Sequence, residues 1–167
     1  MLIETERFLL RKLTTSDVTE KYLSWLSEQV TQQWIVSADT ISDLDDLRVY
    51  VKKRTEAEDI LFLGIFCKDS NLHIGNIKFE PIHVSEGRAE LGVLIGDPNF
   101  RGKKVFAEVL DATSKWLKMH LKITQITLGV KRKNSVALKA YLNAGFVEAV
   151  SLDSSPNSME LRMILNI

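Results

Sequence analysis

The chain has 167 residues, 45% of them apolar, with Lys+Arg and Asp+Glu balanced at 22 each. That length fits one domain, residues 1–167, able to bury an ordinary core, and the zero formal charge argues against a nucleic-acid binder, so any positive site must be local. Cys67 is the only cysteine, which excludes an internal disulfide framework and a Cys-x-x-Cys metal pair, and no apolar run approaches the roughly 20 residues that span a bilayer.

The opening "MLIETERFLLRKL" carries charges every few residues, unlike a secretory leader, so a cytoplasmic protein without a membrane partner is expected. "RFLLRKL" reads as a first strand. "TTSDVTEKYLSWLSEQ" reads as one helix, with Thr14 and Asp17 spaced as a capping box and Val18, Tyr22, Trp25 and Leu26 on one face. "SDLDDLRVYVKKRTEA" reads as a second helix capped by Ser42, its stripe made by Leu44, Leu47 and Val51. "ILFLGIFCK" and "LHIGNIKFEPI" read as two strands joined by a tight turn, with Cys67 a core thiol. In "AELGVLIG" the period of two sets Ala89, Leu91, Val93 and Ile95 on one face and Glu90, Gly92 and Leu94 on the other. From Lys104 to Met119 the period turns helical, with Val105, Val109, Ala112, Trp116 and Met119 as the stripe. "KITQITLGV" is a strand, "NSVALKAYLNA" a helix stopped by Gly145, and "FVEAV" and "SMELRMILNI" are the last strands, the latter alternating Met159, Leu161, Met163 and Leu165 with polar residues. The order β-α-α-β-β-β-α-β-α-β-β predicts a mixed, largely antiparallel sheet flanked by helices, an α/β (α+β) fold.

The sequence lacks a Gly-x-Ser-x-Gly elbow, a His-Glu-x-x-His zinc pair, a phosphate loop of the Walker type and a Gly-x-Gly-x-x-Gly turn, and no metal site is expected. His73, His83 and His120 are scattered. Two segments stand out. In "IGDPNFRGKKVFAEVL" a strand passes through a loop into a helix whose unpaired N–H groups and dipole suit a phosphate, with Gly102 permitting close approach and Arg101, Lys103 and Lys104 supplying charge. A solvated helix start is the other reading of the same residues. In "VKRKNSVALKAYLNAGF" Asn134 sits at a helix cap, and Tyr141, seven residues on, falls near the same face.

Together these segments resemble the GNAT superfamily of N-acetyltransferases, and the similarity covers essentially the whole chain. "ETERFLLRKLTTSDV", "GNIKFEPI…AELGVLIGDPNFRGKKVFAEVL" and "NSVALKAYLNAGF" are similar to the branch that acetylates ribosomal protein N-termini and its small-molecule relatives. The last segment follows that branch's Asn-x-x-Ala-x-x-x-Tyr-x-x-x-Gly-Phe pattern. In the loop pattern Gln/Arg-x-x-Gly-x-Gly/Ala, Arg101 fits the first position, whereas Lys104 replaces the central Gly and Phe106 the final Gly or Ala. Lys104 then serves if its φ is negative, and Phe106 if it faces the core.

The resemblance implies a sheet splayed between its fourth and fifth strands, with acetyl-CoA as co-substrate in the gap. Backbone groups of Val93, Leu94 and Ile95 would meet pantetheine and thioester, one N–H polarising the carbonyl. Arg101, Gly102, Lys103, Lys104, Val105 and Phe106 would hold the pyrophosphate, with Asn134 as a further cofactor contact and Lys131–Lys133 within reach of the 3′-phosphate. Tyr141 is implied as the acid that protonates the departing sulfur, and Glu90 is the candidate base for the amine. Trp34 and Trp25 are the candidates for the acceptor pocket. The expected partner is a small amine or an amino sugar, with a peptide N-terminus as the alternative and a non-catalytic acyl-CoA-binding domain as a reading of another class. A monomer or homodimer fits all three.

Overall fold

The computed structural model of the protein describes residues 1–28, 41–149 and 159–167. Its strands are β1 (Leu2–Glu4), β2 (Phe8–Lys12), β3 (Leu61–Cys67), β4 (His73–His83), β5 (Arg88–Ile95), β6 (Gln125–Lys131), β7 (Val147–Glu148) and β8 (Glu160–Asn166). Its helices are α1 (Glu20–Ser27), α2 (Leu44–Glu56), α3 (Val105–Leu121) and α4 (Ser135–Asn143). The strands form one eight-stranded sheet in the order β1-β2-β3-β4-β5-β6-β8-β7. Every pairing is antiparallel except β5 with β6. The expected mixed, largely antiparallel sheet is therefore present, with β1 as an addition. Three residues are too short for periodicity to mark, and β1 exists because its register Leu2↔Arg11 to Glu4↔Leu9 makes it a hairpin partner of β2.

Alternation along the central strands divides the core in two. Leu61, Leu63 and Ile65 of β3 join Ile77 and Phe79 of β4, Ala89 and Leu91 of β5, and Val105, Val109, Leu110 and Leu117 of α3 in one cluster. Phe62 and Phe66 point the other way, to Tyr22, Trp25 and Leu26 of α1 and Leu47 and Val51 of α2. Strand β3 is thus apolar throughout because both of its faces are covered.

Three expectations change in detail. The segment after Thr14 is not one helix. A 3-10 turn over Thr15–Asp17 comes first, and α1 starts afresh after Thr19, whose hydroxyl accepts from the Tyr22 amide. Thr14 and Asp17 do interact: the Thr14 amide and hydroxyl both donate to Asp17 Oδ2, at 2.7 and 2.9 Å. The cap of α2 is Asp43 rather than Ser42, since Asp43 Oδ1 accepts from the amides of Asp45 and Asp46. Ser42 instead donates its amide and hydroxyl to Asp46 Oδ2, the reciprocal half of the cap. On α3 the buried line runs through Val105, Val109, Leu110, Thr113, Ser114 and Leu117, while Met119 is 67% exposed. A stripe drawn by hydrophobicity alone missed that Thr113 can face the core, because its hydroxyl donates to the Val109 carbonyl one turn back at 2.7 Å.

The candidate active site

β5 and β6 are paired only at Arg88↔Gln125, Ala89↔Ile126 and Glu90↔Thr127. Beyond that point β5 stays on β4, with Gly92↔Lys78, Val93↔Ile77 and Leu94↔Asn76 in register, and β6 stays on β8. Two neighbouring strands that keep only their outer partners must part, so a gap opens at Leu91 and widens toward Ile95. The implied splay is there. It falls between β5 and β6 because β1 moves the strand count by one. On the gap side the backbone of Leu91–Ile95, which includes Val93, Leu94 and Ile95, has no ladder partner among the described residues. A free strand edge of this kind can bond an extended chain.

The loop after β5 is braced from two sides. Arg101 turns its guanidinium back, its Nε donating to the Ile95 carbonyl at 2.9 Å and its terminal nitrogen to the Gly96 carbonyl at 2.7 Å and to Glu28 at 2.8 Å. It therefore fixes the end of the strand rather than projecting a free charge. On the other side Glu108, in the first turn of α3, accepts from Thr5 Oγ1 at 2.6 Å and from the amide and Nε of Arg7 at 2.9 and 2.7 Å. Arg7 also donates to the Lys103 carbonyl at 3.1 Å. Below the loop Asp97, 3% exposed, binds Lys21 at 2.7 Å and accepts from the Asn99 amide at 2.9 Å. Burial raises the Asp97 carboxyl, but the hydrogen bonds from Lys21 and Asn99 outweigh it and hold it below its ordinary value. None of these braces was identified from the sequence. Only Glu108 left a signal, an acid at a helix start.

Lys104 departs from expectation. It is the residue before α3 and its φ is +59°, not negative, while Gly102 has φ +72° with open space where a Cβ would stand. A glycine preference at position 104 has a plain physical cause, since a side chain in the left-handed region costs about 1–2 kcal/mol. Val105 buries its side chain, leaving its backbone N–H for the loop, and Lys103 is exposed. Phe106 packs half-buried against the α3 face of the core and meets Tyr141 edge-on, ring centroids 5.3 Å apart. It faces the core, and it also supports the tyrosine.

Tyr141 lies on α4, its ring held between Phe106 and Phe146, whose centroid is 5.8 Å away. Burial pushes the phenol above its ordinary value, so it stays protonated at neutral pH. Its hydroxyl has no hydrogen-bond partner among the described residues. Asn134 caps α4, its Oδ1 accepting from the Ala137 amide at 3.2 Å. Glu90 sits at the last paired position of β5, where the gap begins, and takes an ion pair from Arg162 of β8 at 3.0 Å. Its neighbours Ala89 and Leu91 point to the α3 cluster, so Glu90 faces the opposite side of the sheet, as the alternation requires.

Trp25 is corrected as a pocket residue. It is 2% exposed, packed against Tyr22 and His73 in the α1 cluster, and its ring lies where a side chain on Gly96 would stand. Trp34 lies outside the described residues, as does most of the connection that carries it. His73 belongs to the same aromatic group, with Nε2 2.9 Å from Asn76 Oδ1 and 3.0 Å from the Gly75 carbonyl. Among the described residues no group of three or more His, Cys, Asp or Glu could hold a metal, and no described helix is long and apolar enough to cross a membrane.

A family model described as an acetyltransferase (GNAT) domain matches residues 7–147. A search of the curated proteins finds no match. Among solved structures, an acetyltransferase of the GNAT family from Bacillus anthracis aligns with TM-score 0.81 at 20% identity, covering 99% of this chain and 98% of that one. RimL, a ribosomal-protein α-N-acetyltransferase in complex with coenzyme A, aligns with TM-score 0.84 at 16% identity, covering 100% and 98%. A spermidine N-acetyltransferase from Vibrio cholerae in complex with CoA and spermine aligns with TM-score 0.79 at 19% identity, covering 96% and 95%.

Proposed function

The chain belongs to the GNAT acetyltransferase family, and from that premise we propose that it moves an acetyl group from acetyl-CoA to a primary amine by direct attack, as a single domain over residues 1–167. The observation that carries this reading is the parting of β5 from β6 after Glu90↔Thr127, with Tyr141 and the start of α3 beside it. The free edge at Val93, Leu94 and Ile95 takes the pantetheine arm as an added strand and turns one N–H to the thioester carbonyl. The amides of Gly102, Lys103, Val105 and Phe106 at the head of α3 take the pyrophosphate, with the ammonium groups of Lys103 and Lys104 nearby. Arg101 shapes this loop through the carbonyls of Ile95 and Gly96. Asn134, already the cap of α4, meets the cofactor with its amide nitrogen.

An aliphatic amine with a pKa of roughly 8–10 is mostly protonated at neutral pH and must lose a proton before it attacks. Glu90, fixed by Arg162, accepts that proton directly or through water. As nitrogen bonds to the carbonyl carbon, the carbon–sulfur bond breaks. The thiolate takes its proton from Tyr141, which burial keeps in the neutral form.

The experiment is calorimetry with acetyl-CoA, followed by thiol release with amines, amino sugars and peptides. We expect heat of binding and thiol release with at least one amine. No heat at high protein concentration would remove the acetyl-CoA reading. Heat without release from any acceptor would favour a binding domain.

A further inference from the structure

The face of the sheet that carries α2 holds a second set of charges at the mouth of the gap. Along β4 the register steps from Phe79↔Leu91 to Ile82↔Ala89, so Glu80 and Pro81 together oppose Glu90. Two residues against one is a β-bulge, which re-aims the side chains beside it. Here it brings Glu80 next to the candidate base. Lys78, one step along β4, lies flat across β5 in the space that a side chain on Gly92 would fill. Across the gap Glu160 of β8 covers Gly129 of β6 in the same way. Glycines on both sides of the opening thus let one cation and one carboxylate reach in from opposite edges.

The charges on the Lys78 side do not balance. Lys78 Nζ at 2.7 Å and Arg54 Nε at 2.9 Å both donate to the same oxygen, Oε2 of Glu80. Glu90 is already paired with Arg162. Among the described residues on the β4 side of the opening one positive charge is left over, on side chains that are 18% exposed for Arg54 and 27% for Lys78. Arg54 comes from α2 and stacks on Tyr50, its central carbon 3.7 Å from the ring centroid. Its two terminal nitrogens have no hydrogen-bond partner among the described residues. A half-buried guanidinium whose terminal nitrogens bond none of the described residues offers an open planar fork, and that fork matches a carboxylate or a phosphate with two parallel bonds.

We infer that the acceptor carries an anionic group, a carboxylate or a phosphate, in addition to its amine, and that Arg54 with Lys78 holds that group while the amine faces Glu90. Glu80 positions both cations. A polyamine is disfavoured, because its second ammonium would meet Arg54 and Lys78. The inference rests on the acetyltransferase reading and names its substrate class.

The test compares acceptors in matched pairs, β-alanine against β-alaninamide and glucosamine 6-phosphate against glucosamine, with spermidine as the polycation. Thiol release is measured for wild type, Arg54→Gln and Arg54→Lys. The anionic member of at least one pair should be preferred about tenfold or more in kcat/KM, and which pair responds separates a carboxylate from a phosphate. Arg54→Gln should abolish that preference by raising the acceptor KM, with the acetyl-CoA KM unchanged, and Arg54→Lys should restore part of it. Equal use of neutral and anionic members, a preference for spermidine, or a preference that survives in Arg54→Gln would overturn the inference. Should Arg54→Gln not fold, Lys78→Gln carries the same comparison. Should no acceptor turn over, calorimetry on CoA-saturated protein decides, and absence of heat from both anionic compounds overturns it. Absence of heat from acetyl-CoA itself would instead remove the acetyltransferase reading.

Discussion

The two faces of the sheet solve different problems. On the α3 face the chemistry is local in sequence: β5, the loop and the start of α3 are one continuous stretch, and Tyr141 stands seven residues after its helix cap. On the α1–α2 face nothing is local. Arg54, Lys78, Glu80, Glu90 and Arg162 come from four elements and meet only through strand register, a bulge and one helix. On the proposed reading, donor binding is written as a segment, whereas the acceptor side is written as a pattern of pairings.

The largest effect that can break this comparison is on stability. Trp25 is core on the acceptor face, so Trp25→Ala should cost about 3–5 kcal/mol in chemical denaturation. A folded, undiminished protein with a raised acceptor KM would make Trp25 a pocket wall after all. Next comes Glu90, at the point where the two faces share the gap. Glu90→Gln should lower turnover about 100-fold with acetyl-CoA affinity kept, the range expected when a general base is lost. Turnover within twofold of wild type would transfer the proton to another group.

A smaller effect lies away from the gap. Burial raises the Asp17 carboxyl, but hydrogen bonds from Arg11 at 2.6 and 2.8 Å and from Thr14 outweigh it, leaving its pKa at about 2 against an ordinary 3.8. A depressed carboxylate stabilises the fold above its unfolded pKa and loses that contribution as pH falls from about 4 through about 2. Unfolding measured across that window should show about 1 kcal/mol lost in wild type and a flatter acid limb in Asp17→Asn. An unchanged limb would mean that the pair is no stronger in the folded protein than in solvent.

The smallest effect sharpens the donor face. Lys104→Gly removes a left-handed lysine and should stabilise the protein by about 0.5–1 kcal/mol, a rise of a few degrees in Tm. A fall in Tm would show that the Lys104 side chain contributes something the backbone geometry does not reveal.

What was legible follows the same division. Alternation in "AELGVLIG" separated Glu90 from Ala89 and Leu91 correctly, because a strand buried on one face must alternate. Helix spacing set Tyr141 on α4 and Asn134 at its cap. The left-handed Lys104 was not legible, since only a glycine there announces that conformation. The meeting of Arg54 with Glu80 was not legible either, because Glu80 is set by the register of β4 on β5. Trp25 was misread as a pocket residue for want of Gly96, whose missing side chain makes the space that the indole fills.

The central claim is acetyl transfer at the gap with Tyr141 as the acid, and one variant tests it most directly. Turnover and acetyl-CoA affinity are measured together for Tyr141→Phe, which keeps the ring between Phe106 and Phe146 and removes only the hydroxyl. The account predicts a loss of about 100-fold or more in kcat with affinity within about twofold of wild type. Equal turnover in the two proteins would contradict it.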